Sequence, residues 1–321
     1  MAYTLADFAA QATQPLKKAV IETWRKESFL MDKLPIETTG TLSTEFVRTK
    51  TLPTITARNI GESMTESKGV LEQMSEDVSV LSAYIDVPRE YVQASNTLGN
   101  VRAEQTKMFS KALAYKFNDM FINGRPSSNP KEVTGLWYRL VNDFAAAQSI
   151  TAGGIDVSSD SGTLTAASGT LIDLMNSLNY AVDGHQADMF LCNKTLYLRI
   201  LAAIRIAGLW AETKDAFGRT MPTFNGIPII DIGNAGDQTT SIITDTETAA
   251  GTALTGSTLT SMYAVKMGEG YVKGFQEAPV DVVDVGLLES GIAYRTHINW
   301  AIGLYIPNPR AVARLYNIQA A

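Results

Sequence analysis

The chain has 321 residues, more than one hydrophobic core usually serves, so two subdomains or one domain with long excursions is expected. Hydrophobic residues at 45% and charged residues at 19% exclude a disordered or fibrous chain. A net charge of -6 argues against a protein whose main task is to neutralise phosphates. The one cysteine, Cys192, follows the apolar run Met189-Phe190-Leu191; it reads as a small buried hydrophobe and fits a reducing compartment. The N-terminus lacks a signal-peptide layout and no run of 18 apolar residues occurs, so a soluble, cytosolic chain without a membrane segment is expected.

Leu16, Val20, Trp24 and Leu30 predict a short amphipathic helix between about Thr13 and Lys33, with Pro15 in its first turn and Pro35 beyond its end. From Thr38 to Val92, threonines and alternation replace helical spacing. A long hairpin is predicted there, with arms Thr41–Pro53 and Leu71–Val87 and the polar tip RNIGESMTESKGV. Leu81, Ala83, Ile85 and Val87 share one face of the second arm, and Val78 and Val80 fall on the other parity, so a bulge near Val80-Leu81 is predicted. A two-stranded ribbon is marginal in water, which points to cover from a neighbouring subunit.

The strongest helical pattern runs from about Asn100 to Phe121. Met108, Ala112 and Tyr115 form one row and Phe109, Leu113, Phe117, Met120 and Phe121 the adjacent one, giving a broad apolar stripe. Asn123-Gly124 is the expected left-handed stop. The middle third alternates a polar loop or loose hairpin (QSITAGGIDVSSDSGTLTAASGT), a helix from Leu171 ending at Gly184, a strand at Met189–Cys192 and a helix from Leu196 ending at Gly208, the pattern of a compact α/β unit. Strands are predicted at Ile227–Ile232, Ser241–Thr244 and Ser261–Val265, then two long arms at Val280–Leu288 and Ala293–Ile306.

Catalytic chemistry is thinly represented. The two histidines are separate: His185 follows a helix-ending glycine and reads as a cap or surface residue, and His297 sits in an alternating strand. No metal-ligand spacing occurs. The cluster Gly268 to Gly274 has strand-like rather than helical surroundings, so it reads as a turn and not a dinucleotide loop. Ser128 and Lys131 have the spacing of a serine–lysine pair but lie in a proline-broken loop. The acidic, Lys- and Arg-free stretch from Leu140 to Asn193 reads as solvated aspartates. No catalytic, cofactor-binding or metal-binding residue is assigned, and no enzyme activity or cofactor is expected.

The stretch Phe121-Ile122-Asn123-Gly124, Pro130 and Gly135-Leu136 after a long helix, followed far downstream by Trp300, Gly303 and Asn308-Pro309-Arg310-Ala311-Val312-Ala313, resembles the major capsid proteins of tailed bacteriophages, with the Hong Kong 97-type fold. The order of elements agrees over nearly the whole chain. The resemblance implies an α+β fold with an N-terminal arm and helix (1–37), an extended β-hairpin E-loop (38–92), a peripheral domain (93–142 and 280–321) carrying spine helix 100–122, and an α/β axial domain (143–279). It implies inter-subunit contacts at the hairpin tip, through Arg58, Asn59, Glu62, Glu66 and Lys68, and packing of the spine helix through Met108, Phe109, Leu113, Phe117 and Phe121.

The function implied is self-assembly into hexamers and pentamers of an icosahedral head shell, built in the host cytoplasm and enclosing weakly contacted double-stranded DNA. Partners implied are other copies, a separate scaffolding protein unless the chain is an already processed form, a portal and decoration proteins. Lys50 and Lys68 lie where some relatives form crosslinks, but no partner motif accompanies them, and they read as solvated lysines. Two other readings stand beside it: an encapsulin-like nanocompartment shell, and a soluble hydrolase using the acidic middle third.

Overall fold

A computed structural model describes residues 3–12, 14–93, 101–158, 161–215, 217–247 and 259–320. The expected start of the spine helix at Asn100, Asp160 and most of the polar stretch 244–260 therefore lie outside the described residues.

The N-terminal segment forms three helices rather than the single one predicted. Helix α1 (Leu5–Gln11) starts from Thr4, whose backbone N–H donates to Asp7 Oδ2 at 2.9 Å. Helix α2 (Pro15–Glu27) opens on Pro15, as predicted, and buries Val20, Ile21 and Trp24. It breaks at Ser28, whose Oγ accepts from Met31 N and so caps α3 (Phe29–Lys33), while donating to Asn118 Oδ1 at 2.8 Å. Strand β1 (Ile36–Thr38) follows.

The hairpin consists of β2 (Ser43–Thr51) and β3 (Val70–Asp77), paired antiparallel with Phe46 opposite Met74. The predicted second arm is two strands. After Val78 the chain leaves the ribbon as β4 (Ser79–Pro88) and pairs with the long closing strand instead. No bulge is needed to bring Val80 inward: it points to solvent while Leu81, Ile85 and Val87 are buried.

After a short helix α4 (Arg89–Gln93) comes the spine, α5 (Val101–Asn123). Leu113, Phe117 and Phe121 are buried as expected, but Met108 is 60% and Phe109 36% exposed. At 100° per residue the inward face runs from Phe121 and Phe117 back through Ser110 and Thr106, which leaves Phe109 at its rim and Met108 on the far side. Ser110 and Thr106 tolerate burial because their hydroxyls donate to the carbonyls of Thr106 and Arg102, at 2.7 and 2.9 Å.

The helix does not stop on a left-handed glycine. Gly124 is absent from the positive-φ residues; it is required because a Cβ there would sit 2.2 Å from the Val133 carbonyl oxygen, and one on Gly135 would sit 2.5 Å from Gly124 N. The two glycines let the outgoing and returning chain touch, with Gly135 N donating to Gly124 O at 2.9 Å. Helix α6 (Leu136–Tyr138) then runs directly into a π-helical turn, Arg139–Asp143.

Next come β5 (Ser149–Asp156), α7 (Ser161–Ala181), β6 (Met189–Cys192), α8 (Lys194–Ile206), β7 (Ala211–Lys214), β8 (Thr220–Phe224) and β9 (Ile227–Asp231). Most of the predicted polar loop is thus strand and helix. The chain finishes with β10 (Leu259–Val265), β11 (Lys273–Gln276), β12 (Asp281–Leu287), β13 (Ala293–Tyr305) and β14 (Val312–Gln319). Ser241–Thr244 is not a strand; only an isolated bridge joins Ser241 to Asn234.

Two sheets organise the molecule. One runs β1-β11-β13-β12, with β4 on the other side of β13; its inner face packs on α2 and α5. Trp300 of β13 stacks on Trp24 with ring centroids 4.8 Å apart and lies 5.7 Å from Phe117, while its Nε1 donates to Gln276 Oε1 at 2.8 Å. The other sheet runs β5-β14-β10-β6-β9-β8-β7 and shares a separate apolar cluster with α7 and α8. The closing strand departs from expectation: β14 pairs with β10 and β5, so the chain ends in this second sheet and not beside the 280–306 arms. Substituting Gly124→Ala is expected to destabilise the folded subunit by at least about 1–3 kcal/mol, since backbone must move; a shift of the urea midpoint checks this, with Gly162→Ala, which has open space around it, as the neutral comparison.

Candidate assembly surface

The base of the hairpin is fixed by a buried ion pair. Arg139 Nη1 lies 2.5 Å from Glu76 Oε1, with both side chains under one-tenth exposed. The remaining guanidinium donors reach Thr134 O at 3.0 Å and Leu304 O at 3.4 Å. One residue thus ties the ribbon to the segment crossing between the sheets and to β13. Phe46 of β2 adds an edge-on contact to Tyr305, centroids 4.6 Å apart. A second clamp sits further out, where Glu72 accepts from Arg48 Nε at 2.9 Å and Lys50 Nζ at 3.3 Å.

Beyond that clamp every residue from 51 to 71 is exposed. The predicted tip residues divide in two. Arg58, Asn59 and Glu62 come together: Arg58 Nη1 donates to Glu62 O at 2.8 Å and Asn59 N donates to Glu62 Oε2 at 2.8 Å, around Gly61 with φ of 95°. Glu66 and Lys68 pair only at 3.9 Å with both side chains 83% exposed, a contact of little energetic weight. What the charged residues frame is apolar. Leu52, Ile55, Ile60 and Met64 are each more than two-thirds exposed. The sequence signal was present, with Ile60 and Met64 inside the polar, glycine-bearing tip and Leu52 and Ile55 just before it, but the charges drew the prediction.

A second bare apolar area lies on the outer face of the first sheet. Val80 and Tyr84 of β4 and Val283 and Val285 of β12 are exposed there, with His297 stacked 4.7 Å from Tyr84. Arg295 grips Asp86 through two bonds of 2.7 and 2.6 Å, and the first effect of that grip is to hold the Asp86 carboxyl below its usual range.

The residues considered for chemistry are apart. His185 adopts a positive φ of 54° and stacks on Tyr180 at 4.2 Å, a turn role. Gly268 to Gly274 closes a turn, with Gly268 N donating to Val272 O, and leads into β11. Cys192 is fully buried and burial pushes its thiol well up, leaving it unreactive. Among the described residues no group of His, Cys, Asp or Glu could hold a metal ion, and no helix is long and apolar enough to cross a membrane.

A spine helix, a projecting ribbon, one sheet that completes itself from both ends of the chain and a second α/β layer define the Hong Kong 97-type shell fold. Comparison agrees. The structure of the holo-SrpI encapsulin complex from Synechococcus elongatus PCC 7942 is similar over 91% of this chain and 88% of that one, at 14% identity and TM-score 0.62. A structure from Mycobacterium phage Bobi is similar over 90% and 89%, at 17% identity and TM-score 0.57, and the capsid of Myoviridae phage XM1 over 88% and 89%, at 15% identity and TM-score 0.51. The major capsid protein GP7 family matches residues 14–161. No curated protein sequence matches the chain. Within residues 14–161 the chain thus matches a major capsid protein family, and its fold is shared with tailed-phage capsid and encapsulin shells.

Two predictions follow from the hairpin base. Arg139→Ala strands the Glu76 carboxylate and is expected to cost about 3–5 kcal/mol in unfolding experiments, whereas replacing both partners by Met and Leu is expected to be near neutral. The Arg48 bond, first among its interactions, lowers the Glu72 carboxyl from its ordinary 4.5. Its contribution is therefore present above that value and lost as pH falls through the lowered one. Pepsin cleavage within the ribbon is expected to rise over that fall, and Glu72→Gln is expected to show the faster cleavage above it and to converge with the unsubstituted protein below it.

Proposed function

We propose that copies of this chain assemble into hexamers and pentamers that close an icosahedral head shell around double-stranded DNA, with no reaction catalysed. The observation that carries the reading is the ribbon, which exposes Leu52, Ile55, Ile60 and Met64 to solvent with no cover from its own chain. Its occupancy is completed by a neighbour, whose bare sheet face at Val80, Tyr84, Val283 and Val285 offers a matching apolar area. The first sheet with the spine helix forms the peripheral domain and the second sheet, including β14, the axial domain. Arg58, Asn59 and Glu62 at the tip set the turn that presents the aliphatic side chains, and Glu66 and Lys68 lie at the rim of the contact.

The energetics favour a ring of weak joints. Fully burying a large aliphatic side chain contributes roughly 1.5–3 kcal/mol, so four give about 6–12 kcal/mol before ordering costs. Association itself costs about 4–15 kcal/mol, so a single joint is weak and closure of many in one shell supplies the stability. The head-to-tail geometry of a reaching arm and a receiving face generates closed rings. A net-negative subunit meets packaged DNA weakly, consistent with later release. A separate scaffolding protein, a portal and decoration proteins complete the partners proposed.

The encapsulin likeness supports a second reading, a shell of the same fold enclosing protein cargo. Particles that co-purify with DNA or packaging partners favour the head-shell reading, and particles that co-purify with one enzyme favour the other. The reading as a whole is tested by Ile55→Asp with Ile60→Asp. The double variant is expected to keep the subunit's circular dichroism and urea midpoint while particle yield, by sedimentation and electron microscopy, falls at least about tenfold, since charge in an apolar contact costs several kcal/mol. Unchanged particle yield contradicts the assigned role.

A further inference from the structure

The junction of the two sheets carries a groove. It encloses about 390 Å3 where the end of α5, the crossing segment and residues 243–247 meet β10 and β14. Its partly exposed aromatic walls are Trp137 and Tyr316, with Tyr263 buried behind them. Two guanidiniums lie against those rings. Arg125 is 3.7 Å from the centroid of Trp137, and Arg314 is 5.3 Å from that of Tyr316 and 5.9 Å from that of Tyr263.

The two cations differ in how they are satisfied. Arg314 is buried and neutralised: its Nη2 donates to Glu247 Oε2 at 2.7 Å and its Nε to Ser261 Oγ at 3.0 Å. Arg125 is exposed, and among the described residues no carboxylate pairs with its guanidinium. Glu132, close to it in sequence, accepts instead from the Arg125 backbone N–H and pairs with Lys116. Among the described residues Glu247 is the only acid in the lining, so two guanidiniums against one carboxylate leave one uncompensated positive charge there.

A guanidinium lying on an indole is held in plane and presents its N–H fork edge-on, the geometry that receives a phosphate bidentately. Aromatic walls receive a planar ring by stacking. A bare anion leaves those walls unused, and a neutral ring leaves Arg125 unpaired. The chemistry that satisfies both joins a phosphate to a flat heterocycle, and the volume lies in the range of small-molecule sites. We propose that this groove binds a nucleoside phosphate, its phosphate on Arg125, its base against the rings of Trp137 and Tyr316, and its polar edge toward the hydroxyls of Thr244 and Thr246 at the rim. A free nucleotide and the exposed end of a nucleic acid share this chemistry. The inference stands whether or not the hairpin makes the contact proposed above.

Isothermal titration of the full-length protein with dAMP, with inorganic phosphate and with a short oligodeoxythymidylate tests it. Binding of dAMP is expected to exceed that of inorganic phosphate, and Arg125→Ala and Thr246→Glu, each shown folded by circular dichroism, are expected to weaken it at least about tenfold. Arg205→Ala, which removes an arginine stacked on Trp210 at 4.4 Å away from the groove, is expected to leave it unchanged. Tighter binding of the oligonucleotide with the same dependence on Arg125 identifies nucleic acid as the source, and equal or weaker binding identifies the free nucleotide. The proposal is overturned if neither dAMP nor the oligonucleotide binds, if binding is unaffected by both groove variants, or if inorganic phosphate binds as tightly as dAMP.

Discussion

A two-stranded ribbon has no interior, and that constraint organises this protein. Each strand of β2 and β3 has one partner, so beyond the base, where Phe46 and Glu76 are buried, both faces of the ribbon meet water. Everything else in the first sheet serves to hold the ribbon out. The buried Arg139–Glu76 pair joins its base to the crossing segment and to β13, and β4 carries the chain from the ribbon directly into the sheet beside β13. A buried ion pair is a poor source of net stability but a strict one for geometry, because either charge left alone is costly. Here it fixes where the ribbon leaves the body.

Spine and sheet supply the rigid body against which that direction has meaning. Trp24, Phe117 and Trp300 come from three distant parts of the chain and meet as one aromatic stack. Small hydroxyl residues on the buried side of α5 keep helix and sheet close, and Gly124 with Gly135 lets the chain cross to the second layer without a gap. The second sheet then receives β14, so its last strand is the chain's own end. The two layers are therefore interlocked by topology as well as by packing.

Much of this was legible in the sequence where periodicity is long and local. The end of the spine helix, the strand at Met189–Cys192 and the two arms around residues 281–305 stand within a residue or two of where alternation and helical spacing put them. The legible part ended where the deciding contact is distant. Nothing local distinguishes a glycine needed for φ from one needed for space, so Gly124 was misread. The serine- and threonine-rich start of α7 has weak helix propensity and is recruited by Leu164 and Leu171 packing on the second sheet. The sheet that β14 joins is set by β5 and β10, both remote in sequence. At the candidate surface, charge attracted attention to Glu66 and Lys68, whereas the exposed side chains that carry hydrophobic free energy are Leu52, Ile55, Ile60 and Met64.

Isotope-mixed crosslinking measures the central claim most directly. Particles assembled from equal amounts of light and heavy-nitrogen subunits are treated with a short lysine-reactive crosslinker and digested. The account predicts that links from Lys68, at the ribbon's outer end, join light to heavy peptides as often as random neighbours allow. Links from Lys68 confined to peptides of the same isotope would place the ribbon on its own subunit and contradict the account.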